Sequence, residues 1–478
     1  MPVAVLALIA SLAMSALHVW LDPLMNPDGV IYLLAAEAWL SDGYAAAAAM
    51  FPIPAYSVLI GVMHELSGLG LLASAQCLNA LLVALLIVGL QRLTWVLGGG
   101  LRAQLLVISF GLLLPELNGF RSFLLRDFGY WACSVWALAL LVSYSRTPRP
   151  AAAVGFVVLA VIAATFRMEA VPLLLVLPLA LFLMPSRRGA AAALWLPTVL
   201  ASALGFGLLT TTDAMPSGAL QLARSLLSEL PAHFQQRLAA FGSQVLDPHF
   251  HDYAGYGLTG GLLAMLLVHT AIAASPPLAA VATVGVLQRQ LGALQPPSAP
   301  LLWGATLLTL AGMACVAISR GIVQTRYAMP IGLITTVVAA FTIDHWLAIA
   351  TRADVRRRVR VVLALLLVYL LAEGGFALWN SKRYYVDTAA WLAAHTDPAA
   401  RIFSRDVRVI YLANRPVDAA ALNPDTAAMA TPQSLPQYDY WLVHDRAGTR
   451  SDDVLAGWAC VAEFVNRKGD GWRIFRRL

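Results

Sequence analysis

The chain has 478 residues, of which 60% are hydrophobic and only 12% are charged. Because soluble domains carry about 25% charged residues, this composition excludes an ordinary soluble protein and indicates a polytopic α-helical membrane protein. The net charge of +6 does not indicate nucleic-acid binding, since the arginines cluster in short segments between apolar stretches, as the positive-inside rule describes.

Apolar stretches recur along the part of the chain that precedes residue 379. A membrane-spanning helix needs roughly 20 such residues. We predict about eleven transmembrane helices, near residues 2–20, 70–95, 103–116, 129–145, 151–166, 170–185, 190–212, 258–287, 300–318, 328–350 and 361–378. Pro276 and Pro277 either kink the stretch 258–287 or divide it into two helices.

The arginines of the connecting segments fall on one side of the alternating topology, among them Arg92, Arg146, Arg187, Arg289 and Arg356. Positively charged loops stay in the cytoplasm. We therefore predict a bacterial inner (plasma) membrane protein with a cytoplasmic amino terminus. Two long loops, 21–69 and 213–256, and the tail after residue 378 are then extracytoplasmic.

The long loops contain helix-like patterns. Val30–Leu40 and Tyr56–Ser67 are predicted to be helices lying in the membrane interface, and Ala45–Ala49 between them is either linker or helix. In the second loop, Leu220–Phe241 is predicted to be an amphipathic helix pair broken at Pro231.

Charged residues become more frequent from residue 379. One helix is predicted at Val386–His395, and the alternating patterns predict strands at Arg401–Ser404, Tyr438–His444, Val461–Val465 and Trp472–Phe475. The expected domains are therefore a transmembrane catalytic domain, 1–378, and a small extracytoplasmic α/β domain, 379–478.

Several catalytic motifs are missing from the sequence. It contains no G-x-x-x-x-G-K-[ST] loop, no G-x-S-x-G and no H-E-x-x-H, which argues against nucleotide hydrolysis, serine-hydrolase chemistry and zincin chemistry. The four cysteines form no zinc-ligand spacing. An enzyme of this kind would receive its substrate from the membrane.

Acidic residues at the outer ends of apolar spans are costly unless they have a function. Asp28 follows the first span and Asp127 follows the third, and both are expected to face the outside. A carboxylate there can act as a general base or hold a divalent metal ion with a second carboxylate. Arg121 and Arg126 flank Asp127, and arginine forks bind phosphate. The alternative is that Asp127 caps a helix and Arg126 reaches lipid headgroups.

Two further charged motifs interrupt apolar sequence. A charge inside a span costs about 2.5–3.5 kcal/mol and usually marks function. Arg167 and Glu169 are two residues apart, so on a helix they face different partners; a structural ion pair between helices is the alternative. Arg326 and Tyr327 either bind a lipid phosphate or anchor the chain at the interface.

Together these motifs resemble a known family. Their order is Asn26-Pro-Asp-Gly-Val-Ile-Tyr32, then Phe51-Pro-Ile-Pro54, Arg126-Asp127, Phe166-Arg-Met-Glu169 and Arg326-Tyr327-Ala-Met-Pro330, followed by a small external domain. This layout is similar to the GT-C superfamily of membrane glycosyltransferases, in particular bacterial aminoarabinose transferases and protein O-mannosyltransferases.

The resemblance implies inverting transfer of a sugar from a polyprenyl-phosphate carrier to an external glycan, lipid or protein acceptor. Asp28 and Asp127 match the family's acidic residues and are the expected catalytic residues. The expected substrate-binding residues are Tyr32, Glu37, Arg121, Arg126, Arg167, Glu169, Arg326 and Tyr327. Many relatives have Asp-Glu where this chain has Asp28-Gly29, so the second acid is Glu37 or absent, and a divalent metal cofactor stays an open question.

Two other classes of function remain as alternatives. A transporter or flippase would use the charged residues within the spans to bind its substrate, but the sequence shows no duplicated halves of the kind that transporters commonly have. A glycan polymerase or ligase would be expected to have its main loop late in the chain rather than after the first span.

Overall fold

The computed structural model describes residues 2–211, 229–288, 297–379, 382–417, 437–446 and 457–478. Eleven α-helices lie in the first of these ranges: α1 Pro2–Leu21, α2 Pro27–Asp42, α3 Tyr44–Met50, α4 Ala55–Ser67, α5 Leu71–Val96, α6 Leu101–Leu113, α7 Pro115–Gly119, α8 Asp127–Arg146, α9 Pro150–Phe166, α10 Val171–Leu175 and α11 Arg188–Thr211. Short 3-10 helices follow α9 and α10, at Met168–Ala170, Leu177–Leu183 and Pro185–Arg187.

The remaining described ranges contain further helices and one small sheet. The helices are α12 Leu230–Val245, α13 Ala254–Ala274, α14 Pro276–Gln288, α15 Ala299–Arg320, α16 Thr325–Ile349, α17 Ala353–Trp379, α18 Tyr384–His395 and α19 Val407–Leu412, with a 3-10 helix at Pro248–Tyr253. The strands are β1 Ile402–Ser404, β2 Tyr440–Asp445, β3 Trp458–Val465 and β4 Gly471–Arg477.

The protein is a multi-pass membrane protein. Six of the described helices are long and apolar enough to cross a membrane, namely α1, α5, α8, α13 with its preceding turn, α15 and α16. Leu263 and Leu267 in α13 are 55% and 69% exposed, which suits contact with lipid. Shorter apolar helices accompany them, so the number of eleven spans stays a prediction.

The stretch 258–287 consists of two helices rather than one kinked helix. α13 ends at Ala274, and Ser275 has a positive φ of 59°, a conformation that cannot continue a right-handed helix. α14 then begins at Pro276. A proline fits this position because the backbone N–H that it lacks has no hydrogen-bond partner within the first turn of a helix.

The helical structure predicted in the first long loop is confirmed, since Val30–Leu40 lies within α2 and Tyr56–Ser67 within α4, while their position in the membrane interface stays a prediction. The segment Ala45–Ala49 is helical as part of α3. In the second loop, α12 begins at Leu230 with Pro231 in its first turn; the part of the predicted pair before residue 229 lies outside the described residues.

The chain forms two compact units. The first unit comprises residues 1–13, 79–118 and 126–374, and the second comprises residues 14–78, 119–125 and 375–478. The first long loop therefore packs in the same unit as the carboxy-terminal tail. The predicted division at residue 378 into a membrane domain and an external domain stays a prediction.

The sheet in the tail has the strand order β1-β2-β4-β3, with β1 parallel to β2 and the other pairs antiparallel. All four predicted strands and the predicted helix, α18, are confirmed. Alternate residues of the strands, including Leu442, Trp472 and Ile474, form a buried core with Tyr384 and Tyr385 of α18. Leu24, from the first loop, lies in the same core.

Candidate functional site

Asp28 is the second residue of α2. Pro27 occupies the first turn of this helix, where its fixed φ suits helix initiation. The residue is half-buried and lies in the first turn of the helix. Asp28 is therefore held at the start of a helix as a partly accessible residue.

The backbone before Asp28 is fixed by buried contacts. Asn26 is 5% exposed, and its side-chain Oδ1 accepts a hydrogen bond of 2.8 Å from the backbone N–H of Leu124. A Cβ at Gly29 would lie 3.1 Å from Asn26 Oδ1 and 3.2 Å from Leu124 Cβ. The glycine that replaces an expected second acid thus allows close packing at this point.

Tyr32 and Glu37 lie further along α2. The Tyr32 ring is buried and makes edge-to-face contacts with the rings of Phe51 and Tyr56, both at 5.2 Å. Glu37 is exposed, and its Oε1 accepts a 3.1 Å hydrogen bond from the hydroxyl of Tyr411.

Glu37 does not act as a second acid beside Asp28. Asp28 and Glu37 are nine positions apart in the same helix. This spacing places them about 13 Å apart along the helix axis and on opposite faces. The two carboxylates consequently cannot share one ion while α2 is intact.

Arg121 is a buried residue of the second unit. It is 3% exposed, and its Nη1 donates a 2.7 Å hydrogen bond to Ser15 Oγ in α1. Burial lowers the pKa of this guanidinium to about 9. The hydrogen bond to Ser15 shows that this arginine has a structural contact in addition to any contact with substrate.

Asp127, Arg167, Glu169 and Tyr327 come together in the first unit and are called here the acid–arginine cluster. The guanidinium of Arg167 donates to Asp127 Oδ1 through Nη1 and to Glu169 Oε1 through Nη2, the latter at 2.6 Å. The same guanidinium lies 4.5 Å over the ring of Tyr327. Asp127 and Arg167 are 1% and 5% exposed.

The expectation that Arg167 and Glu169 face different partners is wrong. It assumed a continuous helix, but α9 ends at Phe166, and Arg167 has extended backbone angles of φ −149° and ψ 130°. Glu169 then lies in a 3-10 turn, which allows the two side chains to pair directly.

A glycine allows α8 and α9 to approach closely beside this cluster. A Cβ at Gly129 would lie 2.4 Å from ring carbons of Phe166, so a larger residue would displace that ring or its backbone. Since Arg167 follows Phe166 and Asp127 begins α8, this contact contributes to bringing the two charged side chains together.

Two more arginines lie beside the acid–arginine cluster. Arg326 is in the first turn of α16, with its guanidinium carbon 5.8 Å from the Tyr327 ring. Arg126 precedes α8 and interacts electrostatically with Glu169. Three arginines therefore accompany two carboxylates, which gives this group a formal charge of +1.

No pattern in the sequence predicts that the first loop is held by Asn26, Tyr385, Arg408 and Tyr411. Asp406-Val407-Arg408 does carry a local signal, because an aspartate before an apolar turn is a typical helix cap. The Nη1 of Arg408 donates a hydrogen bond to the carbonyl oxygen of Met25, and no sequence pattern connects these two residues, because the contact is purely tertiary.

The described residues contain no group of three or more histidine, cysteine, aspartate or glutamate side chains that could hold a metal ion. The acids of the acid–arginine cluster are paired with Arg167. The side chains present in the described ranges thus do not form a recognisable divalent-metal centre, and no metal-dependent step is derived from them.

A scan of protein-family models finds no match, and a search of curated proteins finds none. Among solved structures, ArnT from Cupriavidus metallidurans bound to undecaprenyl phosphate matches with a TM-score of 0.52 and 14% identity, covering 98% of this chain and 97% of that chain. The apo oligosaccharyltransferase of Archaeoglobus fulgidus matches with a TM-score of 0.55 and 12% identity, covering 93% of this chain and 69% of that one.

Both matched proteins are GT-C superfamily glycosyltransferases. The chain has the GT-C fold. The predicted fold class is thereby confirmed: a polytopic helical membrane protein whose small sheet lies at the carboxy terminus. Because the identities are this low, the similarity concerns the GT-C fold and not the substrates.

Proposed function

We propose that this protein is an inverting glycosyltransferase that moves a sugar from a polyprenyl-phosphate-linked donor to an acceptor on the extracytoplasmic face of the bacterial inner membrane. The observation that supports this most strongly is the match to ArnT, since it extends over almost the full length of both chains and the matched structure holds undecaprenyl phosphate. The GT-C fold favours this enzyme class over a transporter or a glycan polymerase.

In the proposed reaction, an acceptor hydroxyl or amine attacks the anomeric carbon of the donor sugar. The bond between that carbon and the phosphate oxygen breaks, polyprenyl phosphate leaves with the bonding electron pair, and the anomeric configuration inverts. Asp28 accepts the proton from the acceptor. Its half-buried side chain at a helix amino terminus is partly accessible, as a general base must be.

The charges of the first unit support a role in binding the donor phosphate. Arginine is suited to phosphate because its planar fork matches two oxygens at once. The net positive group formed by the acid–arginine cluster with Arg126 and Arg326 provides such cations near the start of α16. We assign Arg326, Tyr327 and Arg126 to phosphate binding.

Asp127 has a different proposed role from Asp28. It is buried and accepts a hydrogen bond from Arg167, so its carboxylate is not poised to take a proton from an acceptor. We propose that Asp127 and Glu169 orient Arg167, and that Asp127 supports catalysis indirectly by this route.

Tyr32, Glu37 and Arg121 stay candidates for substrate contact. Each already has a protein partner, respectively the rings of Phe51 and Tyr56, the Tyr411 hydroxyl, and Ser15. We propose that these three residues mainly shape the region of the second unit that carries Asp28.

The class of donor is tested with purified protein in nanodiscs. The protein is incubated with undecaprenyl-phosphate-linked hexoses and pentoses, one at a time, and with a membrane extract as acceptor, and release of undecaprenyl phosphate is measured by mass spectrometry. We expect release from at least one of these donors. Transfer from a nucleotide sugar in a lipid-free reaction, with no release from any lipid-linked donor, would contradict the proposal.

The phosphate site has its own test and a matched control. Arg326→Ala should weaken binding of undecaprenyl phosphate, measured by native mass spectrometry, by at least about tenfold, which corresponds to one lost charge-assisted contact. Arg320→Ala removes an exposed arginine six residues earlier, at the end of α15, and should leave this affinity unchanged. Equal losses in both variants would indicate nonspecific charge attraction.

A further inference from the structure

One short helix of the carboxy-terminal tail contacts the first loop on both sides of Asp28. In α19, Arg408 Nη1 donates a 3.2 Å hydrogen bond to the carbonyl oxygen of Met25. Three residues later, the Tyr411 hydroxyl donates to Glu37 Oε1. Residues three apart lie on the same side of a helix, so one face of α19 holds the chain before α2 and also the third turn of α2.

The guanidinium of Arg408 is fixed in a single orientation. Its Nε donates to Asp406 Oδ1 at 2.8 Å, and its Nη2 donates to the hydroxyl of Tyr385 at 3.0 Å. The Tyr385 hydroxyl in turn donates to Asp406 Oδ2 at 3.1 Å, and the ring of Tyr385 lies 4.6 Å from the guanidinium carbon. These contacts leave Nη1 directed at the Met25 carbonyl.

Burial alone would lower the pKa of Arg408, but its hydrogen bonds to Asp406 and the charge of that aspartate raise the pKa above its usual value. The group therefore stays charged at any physiological pH. A charged donor makes a stronger hydrogen bond to a carbonyl than a neutral one.

The segment that receives this contact is buried and close to Asp28 in the sequence. Leu24 and Met25 are each 1% exposed, and Leu24 belongs to the core formed by α18 and the sheet. Asp22 Oδ1 accepts a 3.1 Å hydrogen bond from the backbone N–H of Lys382. Only two residues, Asn26 and Pro27, separate Met25 from Asp28, so a displacement of the Met25 carbonyl would be passed to the carboxylate.

We propose that Arg408 is a positioning residue for Asp28, acting through the Met25 carbonyl, and that Tyr411 supports it through Glu37. This proposal rests on the proposed role of Asp28 as the base. The carboxy-terminal domain then contributes to catalysis by fixing the position of the Asp28 carboxylate. By contrast, the ion pair between Asp445 and Arg473 within the sheet only stabilises the domain.

The matched control for Arg408 is Arg473, another largely buried arginine of the same unit that pairs with an aspartate. Arg473 is 8% exposed, and its Nε and Nη2 donate to the carboxylate of Asp445 across strands β4 and β2. Lysine at either position keeps the charge but loses the planar fork. Both variants therefore weaken a buried arginine–aspartate pair, and the hydrogen bond to Met25 in the first loop belongs to Arg408.

The experiment measures turnover, donor KM and apparent melting temperature for Arg408→Lys and Arg473→Lys with the undecaprenyl-phosphate sugar that wild type accepts. We expect Arg408→Lys to lower kcat by about 10- to 100-fold, as misplacement of a reacting group by about 1 Å does, with little change in donor KM. Arg473→Lys should lower the melting temperature to a similar extent and keep the wild-type kcat. Equal losses of kcat in both variants would overturn the proposal, because kcat would then follow stability alone.

A second readout does not depend on activity. Hydrogen–deuterium exchange of amides in residues 22–30 should be faster in Arg408→Lys than in wild type and Arg473→Lys. Unchanged exchange there would overturn the positioning claim, even with an active enzyme, whereas faster exchange in a protein that uses no lipid-linked donor would contradict the proposed function only. If Arg408→Lys does not fold, Tyr411→Phe, which loses one hydroxyl, is judged by the same readouts, with the exchange measured over residues 30–42.

Discussion

The carboxylate of Asp127 accepts a hydrogen bond from Arg167, and both side chains are almost completely buried. The two residues are 40 positions apart in the sequence, at the start of α8 and just after the end of α9. A buried charge is stable only with a partner, so each of these side chains depends on the other. This pairing is the basis for our proposal that Asp127 supports the arginine rather than accepting a proton.

The pair predicts a pattern of stability in single and double variants. Arg167→Met alone should destabilise the protein by about 3–5 kcal/mol, because it leaves the Asp127 carboxylate buried without its partner. Asp127→Leu combined with Arg167→Met removes both charges and should recover part of that loss. The order of stability among the variants is read from their apparent melting temperatures in detergent. The decrease in melting temperature of the double variant is compared with the decreases of Arg167→Met and Asp127→Leu alone. A decrease equal to or larger than the sum of the two single decreases would contradict the mutual dependence of these charges.

A half-exposed ion pair in the same unit serves as the control for those variants. Arg102 pairs with Asp344, and the side chain of Arg102 is 49% exposed. Exposed pairs contribute about 0–1 kcal/mol. Arg102→Gln should therefore shift the melting temperature only slightly.

Gly129→Ala should disturb the acid–arginine cluster without touching a charged group. The new Cβ would meet the Phe166 ring at 2.4 Å, which forces that ring and the adjoining Arg167 backbone to shift. Overpacking of this kind costs about 1–3 kcal/mol, and we also expect weaker binding of undecaprenyl phosphate in native mass spectrometry.

The cause is checked by a compensating change. Phe166→Leu in the Gly129→Ala background removes ring atoms at the point of contact and should restore part of both losses. Gly312→Ala, in α15, has no heavy atom within 4 Å of the new Cβ and should behave like wild type. A Gly129→Ala protein that matches Gly312→Ala in stability and binding would show that the close approach of α8 and α9 is unimportant.

The Asp406–Arg408 pair predicts a pH dependence of stability. Burial alone would raise the pKa of Asp406, but hydrogen bonds from Arg408 hold the pKa below the usual value of 3.8. An aspartate whose pKa is lower in the folded protein than in the unfolded chain stabilises the fold at any pH above its unfolded-state pKa. This stabilisation is lost as the pH falls through the folded-state pKa. The melting-temperature difference between wild type and Asp406→Asn should thus be constant from pH 7 to about 5 and shrink below pH 4. A difference that stays constant down to pH 3 would contradict the assignment.

Much of the tail's local structure was predictable because its patterns are local. The alternating residues of β2 and β4 place Leu442, Trp472 and Ile474 on one face, and a period of two is visible in the sequence. The helices of the first loop were predictable from their apolar periodicity and from the prolines that begin them.

The pairings of the site were less predictable, because they depend on where helices end. On a continuous helix, the side chains of Arg167 and Glu169 would point in different directions. They pair because the helix ends at Phe166. The contact between Arg408 and Met25 joins residues 383 positions apart, and no local pattern encodes it. Asp28 could be proposed as the general base from its residue type and its place in the chain, whereas the contacts around it required the structure.

The most direct test of the account is the turnover of Asp28→Asn. Release of undecaprenyl phosphate from the accepted lipid-linked sugar is measured for wild type, Asp28→Asn and the control Asp42→Asn, which changes an exposed aspartate at the end of the same helix. Loss of a general base should lower kcat by about 10²- to 10⁴-fold in Asp28→Asn only, with the melting temperature and the binding of undecaprenyl phosphate unchanged. Wild-type turnover by Asp28→Asn would contradict the central claim.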